Sequence, residues 1–260
     1  MEQVLNDQLP AETRTSKLPD RRVPAGEFVT VDEQAWYRIS TVDQLPPFLM
    51  NIPTDTDLWM FISSTGGLTA GRRDPDGALF QYETVDRLHD ALHYTGPITL
   101  IRVQRRGLPP LLWEPLAPTD PSDSVVERSL AKSTLGNRVV FEELHHEAQL
   151  AFRYRWAGSD AAGWVRTATL TNLGSEPVTV TLLDGLRNVL PSGAPLRLYQ
   201  QASCLVDAYK RVDIDAKTRL GIFSLTSRIS DRPEPAEELR ASTVWCYGLP
   251  DFRVALSLGA

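Results

Sequence analysis

The chain has 260 residues, enough to bury the core of one large domain, and its 42% hydrophobic and 23% charged content excludes a disordered polymer. A net charge of −6, with basic residues in isolated pairs such as Arg72-Arg73 and Arg105-Arg106, excludes the clustered positive surface that nucleic-acid binding requires. The N-terminus has no basic, apolar leader and no window is long enough to span a bilayer, so the expectation is a cytoplasmic chain without membrane contact.

Nineteen prolines and sixteen glycines favour many short strands joined by tight turns over long helices. Residues 1–26 read as a polar N-terminal arm, because they are interrupted by proline and carry no apolar period. The domain then occupies 27–260. Phe28–Val31 and Ala35–Ile39 are strand candidates, followed by Pro-restricted loops at 45–48 and 52–53. Leu58–Ser63 is a buried strand, Thr65-Gly66-Gly67 its tight turn, Leu68–Arg72 its return, and Asp74-Pro75-Asp76-Gly77 a second turn. Asp86–Tyr94 forms one helical turn or two, since Leu88 and Leu92 stand four apart, and β structure resumes to Gln104. Five prolines between Gly107 and Ser124 make that region an ordered, irregular crossing.

Val139–Glu143 and Leu150–Trp156 make a hairpin, with Leu150, Phe152, Tyr154 and Trp156 on the face opposite Arg153 and Arg155. Val165, Thr167, Thr169 and Thr171 alternate with Arg166, Ala168, Leu170 and Asn172, and the turn residues Gly174 and Pro177 predict that this strand pairs with Val178–Leu183 as a second hairpin. A short helix is expected between Leu196 and Tyr209, with Leu196, Tyr199, Cys204 and Leu205 on its apolar stripe. Strands follow at Arg219–Ser227, Thr243–Tyr247 and Phe252–Leu258. The only two cysteines, Cys204 and Cys246, lie far apart in sequence, make no disulfide framework and are expected as buried thiols of a reducing compartment.

The glycine-rich segment at 65–72 lacks the Gly-Lys-Ser/Thr ending of a phosphate loop, so its glycines serve a turn. His89 and His93 have helical spacing but no intervening glutamate, and the adjacent His145 and His146 point to opposite faces of a strand, so no metal or other cofactor is expected. Glu142, Glu143, Glu114, Asp184 and Asp86 are formal candidates for the carboxylate pair of a glycosidase, and spacing singles out no two of them. Among six tryptophans, Trp113 beside Glu114 in the proline-rich crossing is the one expected nearest a groove.

Four stretches together carry a resemblance: Ser64–Tyr82 with Asp86, Trp113-Glu114-Pro115, Gly136–Glu143, and Asn172 with Asp184–Pro191 and Asp207–Lys210. From about Val29 onward the chain resembles the N-terminal β-supersandwich domain of large glycoside phosphorylases and hydrolases of the cellobiose-phosphorylase type. That resemblance implies a mainly β, antiparallel supersandwich, similar to galactose mutarotase, with a few short helices. It also implies carbohydrate as ligand and a catalytic α/α barrel as partner. In that family the catalytic acid sits on the barrel, which this sequence does not contain, so no catalytic residue carries over. Arg72, Asp74, Trp113, Glu114, Arg187 and Asn188 are the candidates for contact with carbohydrate or with the barrel. Two alternatives stand beside it: a mutarotase-like enzyme using His145 or His146 with Glu143, and a stand-alone carbohydrate-binding module.

Overall fold

The computed structural model describes residues 23–31, 33–118, 125–229, 237–249 and 251–256. Most of the expected N-terminal arm therefore lies outside the described residues, and Ala25 and Gly26, its last two, open the first strand. In chain order the strands begin with β1 (Ala25–Val31), β2 (Gln34–Ser40), β3 (Leu49–Asn51), β4 (Leu58–Ser63), β5 (Leu68–Arg72) and β6 (Ala78–Phe80). Helix α1 (Val85–Leu88) and a 3-10 turn at Ala91–His93 separate these from β7 (Gly96–Gln104), β8 (Leu111–Trp113), β9 (Val126–Ser133), β10 (Arg138–His145), β11 (Leu150–Ser159), β12 (Gly163–Asn172) and β13 (Thr179–Arg187). Helix α2 (Leu196–Tyr209) precedes β14 (Lys210–Asp215), β15 (Leu220–Leu225) and β16 (Ala241–Val244).

Every strand pairing is antiparallel. A six-stranded sheet runs β1-β2-β9-β10-β11-β12; β3-β4-β5-β6, β13-β7-β8 and β14-β15-β16 form smaller sheets. One face of the large sheet supplies Leu130, Val139, Phe141, Leu150, Phe152, Tyr154 and Trp156 to a core that Met60, Ile62 and Leu68 enter from the second sheet and Ile101, Val103 and Trp113 from the third. The protein is a mainly β, antiparallel sandwich with few short helices. Period-two alternation explains why β11 folds as it does: Leu150, Phe152, Tyr154 and Trp156 are all buried, while Arg153 and Arg155 lie on the other face. Burying one such side chain stabilises the fold by about 1.5–3 kcal/mol. Among the described residues no helix is long and apolar enough to cross a membrane.

The expected hairpin of residues 164–183 does not form. β12 pairs with β11, placing Leu170 opposite Phe152, whereas β13 joins a different sheet, placing Val180 opposite Val103 and Leu182 opposite Ile101. The turn chemistry is present, since Asn172 Oδ1 accepts from the Gly174 amide at 3.1 Å and Asn172 Nδ2 donates to the Glu176 carbonyl at 2.9 Å. A corner between sheets uses the same local signal as a hairpin. Apolar partners on β11 and β7 decide where each arm goes.

Other expectations also needed correction. Phe252–Leu258 forms no strand within its described part; Phe252 and Val254 are half-buried between exposed neighbours, so the period is right but no strand edge pairs with it. The α2 stripe is different: Val206 is the buried position, packed with Leu198, Tyr199 and Tyr209, while Cys204 and Leu205 are exposed. A non-helical Ala202 (φ −151°, ψ 50°) kinks the helix and breaks the assumed period. β9, central to the large sheet, has no counterpart among the sequence expectations.

Both cysteines are exposed rather than buried. A thiol reagent is therefore expected to modify both in the folded chain. Cys246 should react more slowly at neutral pH than a free thiol, because partial desolvation of its sulfur and the nearby Asp184 carboxylate hold its pKa above the ordinary thiol range. Labelling only after denaturation would contradict the placement of these residues.

Candidate functional site

The site begins with a carboxylate inside the core. Glu143 points inward from β10, is 1% exposed, and accepts from Trp113 Nε1 at 2.6 Å, Arg128 Nε at 2.7 Å and the Leu116 amide at 2.8 Å. Arg128 lies opposite Glu143 on β9, so the ion pair is built into the strand register. Its other arm donates to the Ala117 carbonyl. Between Pro115 and Pro118, which cannot donate to a ladder, Leu116 adopts a left-handed backbone (φ 65°). Glu143 and Arg128 thus pin a loop that has no sheet to hold it, and that loop presents Glu114 outward.

The opposite wall rests on Arg187, at the end of β13 and paired across the sheet with Gly96, whose φ of +81° lets the chain turn there. Arg187 Nη1 donates to the His93 carbonyl at 3.0 Å, and Nη2 to the Pro97 carbonyl at 3.2 Å and to the Leu92 carbonyl. Asn188, also left-handed (φ 53°), donates to the Tyr94 carbonyl. Together they take up carbonyls that the end of a short helix leaves without intrahelical partners. Burial lowers the pKa of the Arg187 guanidinium, with the Glu114 carboxylate acting in the opposite direction.

The same helical segment is held from below by the β4–β5 turn. Thr65 Oγ1 donates to the His89 carbonyl at 2.9 Å, and Ser63 Oγ lies 2.7 Å from His89 Nδ1. Gly67 passes directly beneath: a Cβ there would lie 2.0 Å from the Leu88 carbonyl oxygen. His89 and His93 fall on two separate short helical turns, so they do not share one helix face as their spacing suggested.

Between the walls lies a cleft of about 260 Å³, bordered by Glu114, Leu116, Thr99, His93, Pro97 and Arg187. Thr99 connects it to a second, partly exposed ion pair. Its hydroxyl donates to Asp184 Oδ1 at 2.5 Å and accepts from Arg166 Nη2 at 3.0 Å, while Arg166 Nη1 meets both Asp184 oxygens at 2.9 and 2.8 Å. The Arg166 guanidinium lies 4.7 Å above the Tyr154 ring, and burial pushes the Tyr154 phenol far above its ordinary range.

Of the six candidate residues, Glu114 and Arg187 meet at this cleft and Asn188 braces its helical wall. Trp113 stands behind Glu114 with its ring buried and its N–H committed to Glu143, so it offers no free face to a ligand. Arg72, the last residue of β5, and Asp74, two residues past it, are elsewhere. Arg72 binds Asp57 through Nε at 3.0 Å and Nη2 at 2.7 Å, and Asp74 caps the turn at Pro75–Gly77 by accepting from the Asp76 and Gly77 amides. Glu143, the carboxylate considered with His145 or His146, has both oxygens occupied inside the core. His146 is exposed and 3.7 Å from Glu127.

Thr99 and Arg166 were not singled out in the sequence. Arg166 carried a usable signal, a charge at an inward-facing position of an amphipathic strand, which demands a buried partner. Chemically, the cleft offers a solvent-facing carboxylate, a desolvated guanidinium and apolar Leu116 and Pro97 side by side. Such a surface suits hydrogen bonding to a polar ligand with apolar faces. No protein-family model matches the chain, and no curated protein matches it.

Proposed function

We propose that this chain is a sandwich domain of a carbohydrate-active enzyme of the glycoside phosphorylase or hydrolase kind, related in fold to galactose mutarotase. It supports a catalytic α/α barrel and lends that barrel's sugar site one wall, the Glu114–Arg187 cleft. The observation that carries this reading is convergence. Trp113-Glu114-Pro115 and the Asp184–Pro191 segment contribute Glu114, Pro115 and Arg187 to the lining of one cleft, while Glu143 and the glycine turn at 64–67 brace its walls from behind through Leu116 and His89. Glu114 supplies an acceptor for sugar hydroxyls, and Leu116 with Pro97 supplies an apolar surface for sugar C–H faces. The two exposed, unpaired thiols fit a reducing cytoplasm.

Optical rotation tests the division of labour. With the purified chain added to freshly dissolved α-glucose or α-galactose, the rotation is expected to relax at the rate of buffer alone. Acceleration that disappears in a His145→Ala, His146→Ala double variant would replace this reading with that of a mutarotase acting by general acid–base catalysis.

A further inference from the structure

β12 is ten residues long and forms one edge of the six-stranded sheet, so half of its backbone donors and acceptors face away from β11 with no strand beside them among the described residues. β1 and β13, of seven and nine residues, are also edges and carry Glu27 and Asp184 with Arg187, and several of the remaining edges are short or charged. β14 carries Lys210, Arg211, Asp213 and Asp215 within six residues, and β3, β6 and β8 are three residues each. From Val165 to Asn172, β12 has no carboxylate and no proline. Its one cation, Arg166, is bound to Asp184 of the same chain. Thr167, Ala168, Thr169 and Thr171 are exposed along it.

We propose that β12 pairs antiparallel with β12 of a second copy of this chain, about a two-fold axis through Thr169, joining two six-stranded sheets into one. Self-complementarity singles out a second copy as the occupant. Thr167-Ala168-Thr169-Leu170-Thr171 presents threonine at every second position on either side of the axis. In this register Thr169 faces its own counterpart and Thr167 faces Thr171 on the outer face. On the inner face Ala168 meets Leu170 and Arg166 meets Asn172, so no like charges are opposed. Threonine pairs on one face and small apolar pairs on the other are favourable cross-strand neighbours. A two-fold contact of this kind closes on itself and leaves neither β12 edge open.

The inference stands apart from the carbohydrate reading, and its test uses the whole chain. In sedimentation the protein is expected at twice the chain mass, dissociating on dilution. Thr169→Lys, which sets two ammonium groups face to face on the axis, is expected to give a monomer at the same concentration with unchanged circular dichroism and the Tm of the parent diluted to monomer. In a Cys204→Ser, Cys246→Ser background, Thr169→Cys is expected to oxidise to a disulfide-linked dimer joined through position 169, since directly opposed residues lie within disulfide reach. Ala216→Cys, on an exposed turn, serves as control. A monomer at every concentration, a dimer that survives Thr169→Lys, or crosslinking no better than the control would each overturn the proposal.

Discussion

Replacing Glu143 by alanine is expected to lower stability by about 3–5 kcal/mol, the range for removing one partner of a buried ion pair. The loss is large because three donors depend on one carboxylate. Arg128, whose side chain is 11% exposed, would keep its charge in the core without a counter-ion. Trp113 Nε1 and the Leu116 amide would lose their acceptor as well. Glu143→Gln, which keeps an acceptor oxygen, should fall between alanine and the parent. Urea denaturation measures all three. A loss below about 1 kcal/mol for alanine would mean that water takes over these donors and that Glu143 does not hold the 114–118 loop.

Gly67→Ala is expected to lower stability by about 2–3 kcal/mol, as overpacking of a tight contact does. The added methyl group would lie 2.0 Å from the Leu88 carbonyl oxygen and 3.2 Å from the Leu92 amide nitrogen, and neither backbone atom belongs to a side chain that can swing aside. Either the β4–β5 turn or the helical segment must move. In both cases the Thr65–His89 hydrogen bond breaks and the His93 wall of the cleft shifts. Gly185→Ala is the comparison, because nothing lies within 4 Å of a Cβ there. Its effect should stay within about 0.5 kcal/mol. Equal thermal shifts for the two variants would contradict the close approach at Gly67.

Where alternation was clean, the sequence was readable. β10 and β11 follow directly from apolar residues two apart, as do β4 and β5 from a buried run ending in a glycine turn. β9 was missed for a physical reason. Its inward positions include Arg128 and Lys132, and these charges are compatible with the interior only because Glu143 and the Asn51 carbonyl, 2.7 Å from Lys132 Nζ, wait across the fold. β12 and β13 were each recognised as strands and wrongly joined, since local turn chemistry specifies a reversal and not the sheet that receives it.

The cleft was half legible. Glu114, Arg187 and Asn188 stood in the segments carrying the resemblance, yet only tertiary structure brings residues 73 positions apart to one cleft. Thr99 gave no signal at all, as one hydroxyl within an apolar strand whose importance comes from Arg166 and Asp184 beside it. Arg187 looked like a ligand-facing cation. Most of its donors are spent on the backbone carbonyls of Leu92, His93 and Pro97.

The proposal that the Glu114–Arg187 cleft is a sugar-facing wall is tested most directly by amide NMR during titration with a β-linked glucose disaccharide at millimolar concentration. Resonances of Thr99, Glu114, Leu116 and Arg187 are expected to move together and saturably, and to stop moving in Glu114→Ala, whose exposed side chain can be removed without disturbing the fold. Shifts absent from these residues, or unchanged in that variant, would contradict it.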